Sequence, residues 1–168
     1  MNQLRVWIPL LVLLGVGGYF GYHYLWLADD ERIIHAKVDD LVELASKEGE
    51  ETVFVGVGRA RRIADRFTEE FVLGMGRPFP DGTVTRDDLV VAVSQARGGV
   101  NELRLRVSDR DLTVDESGET AVMELTGRGL LSHQGHGRRE DVRRFRVEWV
   151  KVDGDWLIRR VDRIDILE

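Results

Sequence analysis

The sequence predicts an α+β fold, in which an N-terminal transmembrane helix precedes a domain of about three helices packed on an antiparallel sheet of about four strands. Three observations predict it. A long stretch near the N-terminus carries no charge. Apolar residues then recur with a helical period as far as Gly98-Gly99, and with the period of a strand beyond that pair. Tight turns join the alternating segments, as they do between antiparallel neighbours.

The first element is the charge-free stretch from Val6 to Ala28, which is long enough to cross about 30 Å of hydrocarbon as a helix. Aromatic rings, which settle at membrane interfaces, stand near both of its ends. Arg5 precedes the stretch and acids follow it, so the positive-inside rule places the N-terminus in the cytoplasm. We therefore predict a signal anchor in the cytoplasmic (inner) membrane, residues 1–28, and an extracytoplasmic domain, residues 29–168.

Two alternatives concern this segment. The small residues Gly15, Val16 and Gly17 would suit a signal peptidase, but the apolar stretch continues well past them, which favours an uncleaved anchor. Gly17 and Gly21 form a G-x-x-x-G pair that could seat a second helix, so a homodimer is left open. With or without cleavage, the domain is exported.

Composition excludes several function classes. The 168 residues suffice for one domain behind the anchor. Cysteine is absent, which excludes disulfides, thiolate nucleophiles and cysteine-bound zinc. The net charge is −6, so the basic footprint of a nucleic-acid-binding protein is missing.

Three amphipathic segments make up the helical half. The first follows the anchor, over residues 29–48, and a break from Gly49 to Gly58 separates it from the second, over residues 59–75. A loop rich in Gly and Pro comes next. Thr85, with Asp88 three residues on, then predicts the capped start of a third helix that runs to about Ala96.

The remaining chain alternates apolar and polar residues in about four strands. Turn residues separate them at 116–118, at 132–137 and at Asp153-Gly154. The helices therefore lie to one side of a meander of long strands.

Three stretches carry a resemblance to a known family: "ARRIADRFTEEF", "VSDRDLTVDESGETAVMELTGRG" and the closing "FRVEWVKVDGDWLIRRVDRIDIL". Together with the order of elements, they resemble the nuclear transport factor 2 and SnoaL-like superfamily over roughly residues 29–168. The resemblance implies a cone-like domain with a strongly curved sheet that leaves a pocket against the helices. It implies no single activity, because the superfamily includes isomerases, cyclases, dehydratases and transport or secretion components.

Charges interrupt the apolar pattern of the last strand. Strict alternation places Trp156, Arg160 and Asp162 on one face. In a cone-like domain, such charges would mark where the helical cover ends, so these three residues and Trp149 are the candidate pocket lining. The alternative is that Arg160 and Asp162 are solvated and pair with the neighbouring strand.

Catalytic signals are weak. The isomerases of the superfamily that the chain resembles use a carboxylate base with a tyrosine donor, yet all three tyrosines of this sequence lie in the predicted anchor. His133 and His136 have a spacing that metal ligands use, but they fall in a Gly-rich turn without a carboxylate before Glu140. We therefore predict no catalytic residue, metal or cofactor.

Two functions remain. The favoured one is non-catalytic binding or scaffolding of a protein or a small apolar ligand at the outer surface of the membrane. The alternative is an enzyme of isomerase or hydrolase type that uses a carboxylate in the cone pocket. A buried carboxylate with a raised pKa and a donor in reach would favour the enzyme. The sequence leaves the ligand and the oligomeric state open.

Overall fold

The structure is a computed structural model that describes residues 29–76, 81–133 and 136–164. The predicted anchor lies outside these residues. Within them, no helix is long and apolar enough to cross a membrane.

Three helices are described: α1 (residues 29–45), α2 (Val53–Ala64) and α3 (Arg86–Gly98). The capping box of α3 is confirmed, because the Thr85 side chain accepts from the backbone N–H of Asp88 and the Asp88 side chain accepts from that of Thr85. The predicted limits of α2 are wrong. Thr52 caps a helix that starts inside the expected break, and the helix ends at Ala64 rather than near Met75.

The sheet has six strands, two more than predicted: β1 (Phe67–Gly74), β2 (Gly82–Thr85), β3 (Glu102–Val114), β4 (Thr120–His133), β5 (His136–Val152) and β6 (Asp155–Ile164). Their order is β2-β1-β6-β5-β4-β3. The predicted second helix includes the residues of β1, and the predicted loop includes most of β2, so both predictions are wrong. The sheet is also not wholly antiparallel, since β1 runs parallel to β6.

The predicted turns join the long strands. Asp153 and Gly154, with φ of 51° and 84°, connect β5 to β6, as expected of a hairpin turn that needs positive φ at two positions. Gly118, with φ of 68°, lies in the turn between β3 and β4.

The helices pack on one face of the sheet, which we call the inner face. Ile34 and Leu44 of α1, Ile63 of α2 and Leu89 of α3 join the strand residues in a single core. The largest side chains with less than 2% exposure are Trp149, Trp156, Phe71, Ile34 and Met123. Large apolar side chains therefore occupy the described core between the helices and the sheet.

A β-bulge changes the faces of the last strand. Trp149 lies opposite Ile158 while Glu148 lies opposite Arg160, so Arg159 is an extra residue in β6. Beyond the bulge the alternation is reversed. Val161, opposite Val147, is on the inner face, and Arg160 and Asp162 are on the outer face.

Candidate functional site

The structure separates the four residues predicted to line a pocket. Trp149 and Trp156 are buried on the inner face, at 0% and 1% exposure. Arg160 and Asp162 lie on the opposite face because of the bulge, which corrects the prediction that they share a face with Trp156.

On the outer face, Arg160 and Asp162 pair with each other. Arg160 Nε donates to Asp162 Oδ2 over 2.5 Å, and Nη2 donates to Oδ1 over 3.2 Å. These hydrogen bonds, and then the charge of Asp162, raise the pKa of Arg160. Glu148 on β5 accepts from Arg159 over 3.2 Å. Arg160 and Asp162 are thus at the surface, as the alternative interpretation expects, but they pair with each other and not with the neighbouring strand. The cross-strand pair is that of Arg159 with Glu148.

A buried ionic cluster lies where α1 begins. Asp30, 6% exposed, accepts from Lys151 Nζ at both oxygens, over 2.9 and 2.8 Å. It also accepts from Trp156 Nε1 over 2.9 Å, and the Lys151 ammonium lies 4.8 Å from the centre of the Trp156 ring. The cluster fastens the start of α1 to the β5–β6 hairpin. In the sequence, Asp30 is simply one of the acids that follow the predicted anchor, and its burial was not predicted.

A second buried cluster fastens the end of α1. Arg97, 4% exposed, donates to the backbone carbonyls of Leu44 and Ala45 over 3.0 and 2.8 Å. Its Nε and Nη2 donate to Glu51 Oε2 over 3.0 and 2.9 Å. Lys47 Nζ in turn donates to the carbonyls of Arg97 and Val100 over 2.9 and 2.7 Å. These charged side chains tie α1 to α3.

Among the described residues, the carboxylates with displaced pKa values are all shifted downward. A hydrogen bond from Arg110 lowers the pKa of Asp39, hydrogen bonds from Thr85 lower that of Asp88, and hydrogen bonds from Ser117 lower that of Asp115. A general acid or base at neutral pH needs the opposite shift. These three carboxylates are therefore permanent negative charges at neutral pH.

A recess of about 430 Å³ opens to solvent on the outer face of β3, β4 and β5. Carboxylates and hydroxyls dominate its wall, which is formed by Asp111, Thr113, Asp115, Thr120, Ala121, Val122, Glu124 and Arg146. Glu124 accepts from Arg144 over 3.1 Å and lies 3.5 Å from Arg146. The recess is thus acidic and lies on the face away from the two tryptophans.

Apolar side chains are exposed on the first turn of α2. Val53, Phe54 and Val55 are 84%, 92% and 50% exposed. In the described part of the chain, no group of three or more His, Asp or Glu side chains could hold a metal ion. The side chains of His133 and His136 lie outside the description.

Similarity to known proteins shows which family the chain belongs to. A model of the SnoaL-like domain family matches residues 53–162, which run from α2 into β6. The chain belongs to the SnoaL-like domain family. The predicted resemblance is thereby confirmed. No curated protein matches the chain.

Solved structures share the fold of this SnoaL-like domain. A putative scytalone dehydratase from Novosphingobium aromaticivorans has a TM-score of 0.65 at 15% identity, over 84% of this chain and 87% of its own. LinA has a TM-score of 0.67 at 12% identity, over 84% and 89%. An NTF2-like protein with a cystatin-like fold, also from N. aromaticivorans, has 0.64 at 15% identity, over 83% and 84%. The α+β cone fold is confirmed, and at these identities the likeness shows the fold alone.

Proposed function

We propose that this SnoaL-like domain is a non-catalytic binding module, and that it recognises an apolar partner surface through the turn Val53–Val55. The observation that carries the proposal is the exposure of Phe54, 92%, between two exposed valines at the start of a helix. Contiguous exposed apolar side chains are typical of interaction sites. Thr52 caps the helix, so the backbone that presents the three side chains is ordered by a local hydrogen bond.

The interior supports a binding rather than a catalytic role. Trp149, Trp156 and Met123 occupy the region where an enzyme of this fold would need space for a substrate. The buried carboxylate Asp30 accepts from a lysine and an indole N–H, so it is engaged in holding α1. An acid or base for catalysis needs a carboxyl group that can reach the substrate.

The proposed location is the outer surface of the cytoplasmic membrane, with residues 6–28 as the anchor. The length of the charge-free stretch and the acids that follow it support this location. Asp30 is buried only two residues beyond Ala28, so the link between anchor and domain is short. The turn Val53–Val55 follows the far end of α1, and a helix of 17 residues is about 25 Å long. The apolar turn is thus held away from the point where the anchor joins the domain.

The chemistry of the partner follows from the surroundings of the turn. Glu48 and Glu50 precede it and are exposed. An apolar pocket with a basic rim on a partner protein would match this surface. A small apolar ligand has less to bind to, because an exposed turn cannot enclose it.

The test uses the full chain in its native membrane, with a photoreactive phenylalanine analogue at position 54 and, as a matched control on the same helix, at Arg61. We expect one discrete protein adduct from position 54 and none from position 61. Phe54→Asp should abolish recovery of that protein, whereas Arg61→Asp should leave it unchanged.

Four results would overturn the proposal. Identical adducts from both positions, or adducts with lipid alone, would show that the turn is not a specific protein-binding site. Turnover of a small hydrophobic substrate by the purified chain would establish the isomerase or hydrolase alternative. Recovery of the intact chain outside the membrane fraction would contradict the proposed membrane anchor.

A further inference from the structure

Strand β3 forms the longer of the two edges of the sheet. It has 13 residues, whereas β2, at the other edge, has four. An edge strand leaves every second backbone N–H and C=O group without a strand partner, and these groups can bind another chain. The way in which this edge is covered therefore decides whether the sheet can accept a further strand.

The first half of this edge is covered by the chain that follows α1. Lys47 and Leu103 exchange two backbone hydrogen bonds, over 2.7 and 2.9 Å. The N–H of Leu105 donates to Ser46 Oγ over 3.2 Å. The backbone groups of Leu103 and Leu105 therefore face outward and are satisfied, and the even-numbered residues between them and the bulge face β4.

A β-bulge in the middle of β3 reverses this orientation. Two residues of β3, Asp109 and Arg110, oppose a single residue of β4. Asp109 has φ of 50°, and Arg110 turns toward α1, where it donates to Asp39. Because of the extra residue, the odd-numbered residues Asp111 and Thr113 face β4 beyond the bulge.

The end of the edge, from Asp111 to Asp115, is here called the open segment. The N–H of Asp115 donates to the carbonyl of Thr120 on β4 over 2.9 Å, and groups that bond to β4 recur at every second residue. Leu112 and Val114 therefore point their backbone N–H and C=O groups away from β4. In the part of the chain that the structure describes, no residue bonds to these groups from the other side.

The open segment is acidic on one side and apolar on the other. Asp111, Thr113 and Asp115 are exposed and line the recess of the outer face. Among the described cations, none forms an ion pair with Asp111 or Asp115. Leu112 and Val114 are half-buried and pack against the core. A strand added here would therefore meet carboxylates on its outer side and apolar side chains on its inner side.

A second copy of the chain fits the open segment poorly. In an antiparallel pair centred on Thr113, Asp111 of each copy would stand opposite Asp115 of the other. Like charges directly opposite each other destabilise a sheet, whereas opposite charges stabilise it. The base that lines the recess, Arg146, lies 3.5 Å from Glu124 and is already paired. The charge of the open segment therefore favours a basic partner strand.

We propose that the open segment accepts an extended, basic segment of a partner protein as an additional strand, antiparallel to β3. Backbone hydrogen bonds to Leu112 and Val114 hold this strand, and its lysine or arginine side chains lie opposite Asp111 and Asp115. These two carboxylates are four residues apart, so the partner's basic side chains are about 13 Å apart. The recess leaves room for them beside the carboxylates. Apolar side chains between them continue the inner face.

This site goes beyond the proposed function and does not use the turn Val53–Val55. It depends on backbone hydrogen bonds and on carboxylates, whereas the turn presents apolar side chains. Either inference can therefore fail while the other stands.

The experiment adds a synthetic peptide with blocked ends, Lys-Val-Thr-Val-Lys flanked by glycines, to the full-length chain in detergent at low ionic strength. We expect the peptide to slow amide hydrogen exchange at Leu112 and Val114 by about tenfold, because their N–H groups become hydrogen-bonded. Exchange at Thr113, whose N–H faces β4, should change much less. Nuclear magnetic resonance measures exchange at each residue.

Modified peptides separate strand addition from attraction between charges. In an antiparallel pair, the two valine N–H groups face Leu112 and Val114, and the threonine N–H faces away. Methylation of both valine amides should abolish binding, whereas methylation of the threonine amide should leave it nearly unchanged. All three peptides carry the same charge.

Charge reversal in the protein tests the partner's chemistry. Asp111→Lys with Asp115→Lys should weaken binding of the lysine peptide by about tenfold or more, and should bind Glu-Val-Thr-Val-Glu instead. Glu69→Lys with Glu70→Lys, at exposed positions of β1, changes the net charge equally and should bind like the unaltered chain. Circular dichroism should show that both variants fold.

Several outcomes contradict the proposal. They are no binding of the lysine peptide, equal binding after methylation of the valine amides, and equal loss of binding in the two charge-reversed variants. Exchange at Leu112 and Val114 that slows with protein concentration alone would assign the edge to a second copy and would overturn the proposal as well.

Discussion

The inner and outer faces of the sheet use the same charged residue types for different purposes. On the inner face, Asp30 is buried and Lys151 is largely so, and the two are hydrogen-bonded to each other. On the outer face, Arg160 and Asp162 are solvated, and Arg106 stands opposite another arginine. Removing one member of a buried ion pair is costly because the other member is left charged and away from water. When an exposed pair is broken, water solvates the remaining charge. We infer that the inner charges fix the fold, whereas the outer charges add little to its stability.

The strongest test of this difference is the substitution Asp30→Ala. It removes the carboxylate that accepts from the partly buried Lys151 ammonium and from the buried Trp156 N–H. We expect the free energy of unfolding to fall by about 3–5 kcal/mol, as for other buried pairs that lose one partner. Equilibrium urea unfolding measures it. Asp29→Ala, at the exposed neighbouring position, is the control, and an equal effect of the two substitutions would contradict the role of the buried cluster.

A smaller effect is expected at the capping box of α3. Thr85→Ala removes the side chain that accepts from the backbone N–H of Asp88. Loss of such a cap costs about 1 kcal/mol. Thr83→Ala, also an exposed threonine of β2, should change the urea midpoint much less. Equal midpoints for the two variants would show that the cap contributes nothing.

The same cap predicts a dependence on pH. Hydrogen bonds from Thr85 hold the pKa of Asp88 below its usual value, so the folded state favours the charged carboxylate. The stabilisation is complete above the unfolded pKa, near 4, and is lost as the pH falls from there through the lowered pKa. Unfolding of the unaltered chain and of Asp88→Asn, followed from pH 7 to pH 2.5, should show a smaller acid dependence in the variant. Parallel curves would refute this assignment.

The smallest effect is expected on the outer face. Asp162→Asn removes the partner of Arg160, which lies at the surface. We expect a change in the urea midpoint smaller than that of Thr85→Ala, and one that disappears in high salt, because exposed pairs are weak and screened. A loss as large as that of Asp30→Ala would erase the distinction between the two faces.

Local signals predicted the parts of the fold that local chemistry determines. Thr85 and Asp88 predicted a cap, and Asp153-Gly154 predicted a hairpin. Strand β1 was not predicted because Phe67 and Phe71 also fit a helical period, and the pairing that makes them a strand comes from β6, far along the chain. The parallel pairing of β1 with β6 was therefore not predicted, because no turn joins these two strands.

The candidate site was harder to predict, for two physical reasons. Strict alternation put Arg160 beside Trp156, and one extra residue, Arg159, reversed the faces beyond it. The burial of Asp30 depends on Lys151 and Trp156, more than 100 residues away in sequence. Lys151 lies two residues after Trp149 and therefore on the same face of the strand. A lysine on a buried face requires an acidic partner, and this signal could have predicted a buried carboxylate.

Large side chains pack the described interior, and we propose that the protein acts through its surfaces. Acrylamide quenching of tryptophan fluorescence tests it most directly in the full-length variant Trp7→Phe, Trp26→Phe, which retains only Trp149 and Trp156. We predict weak quenching, because both indoles are almost wholly buried. Quenching that approaches that of free tryptophan would show that a small uncharged molecule reaches the space between helices and sheet, and would contradict the claim.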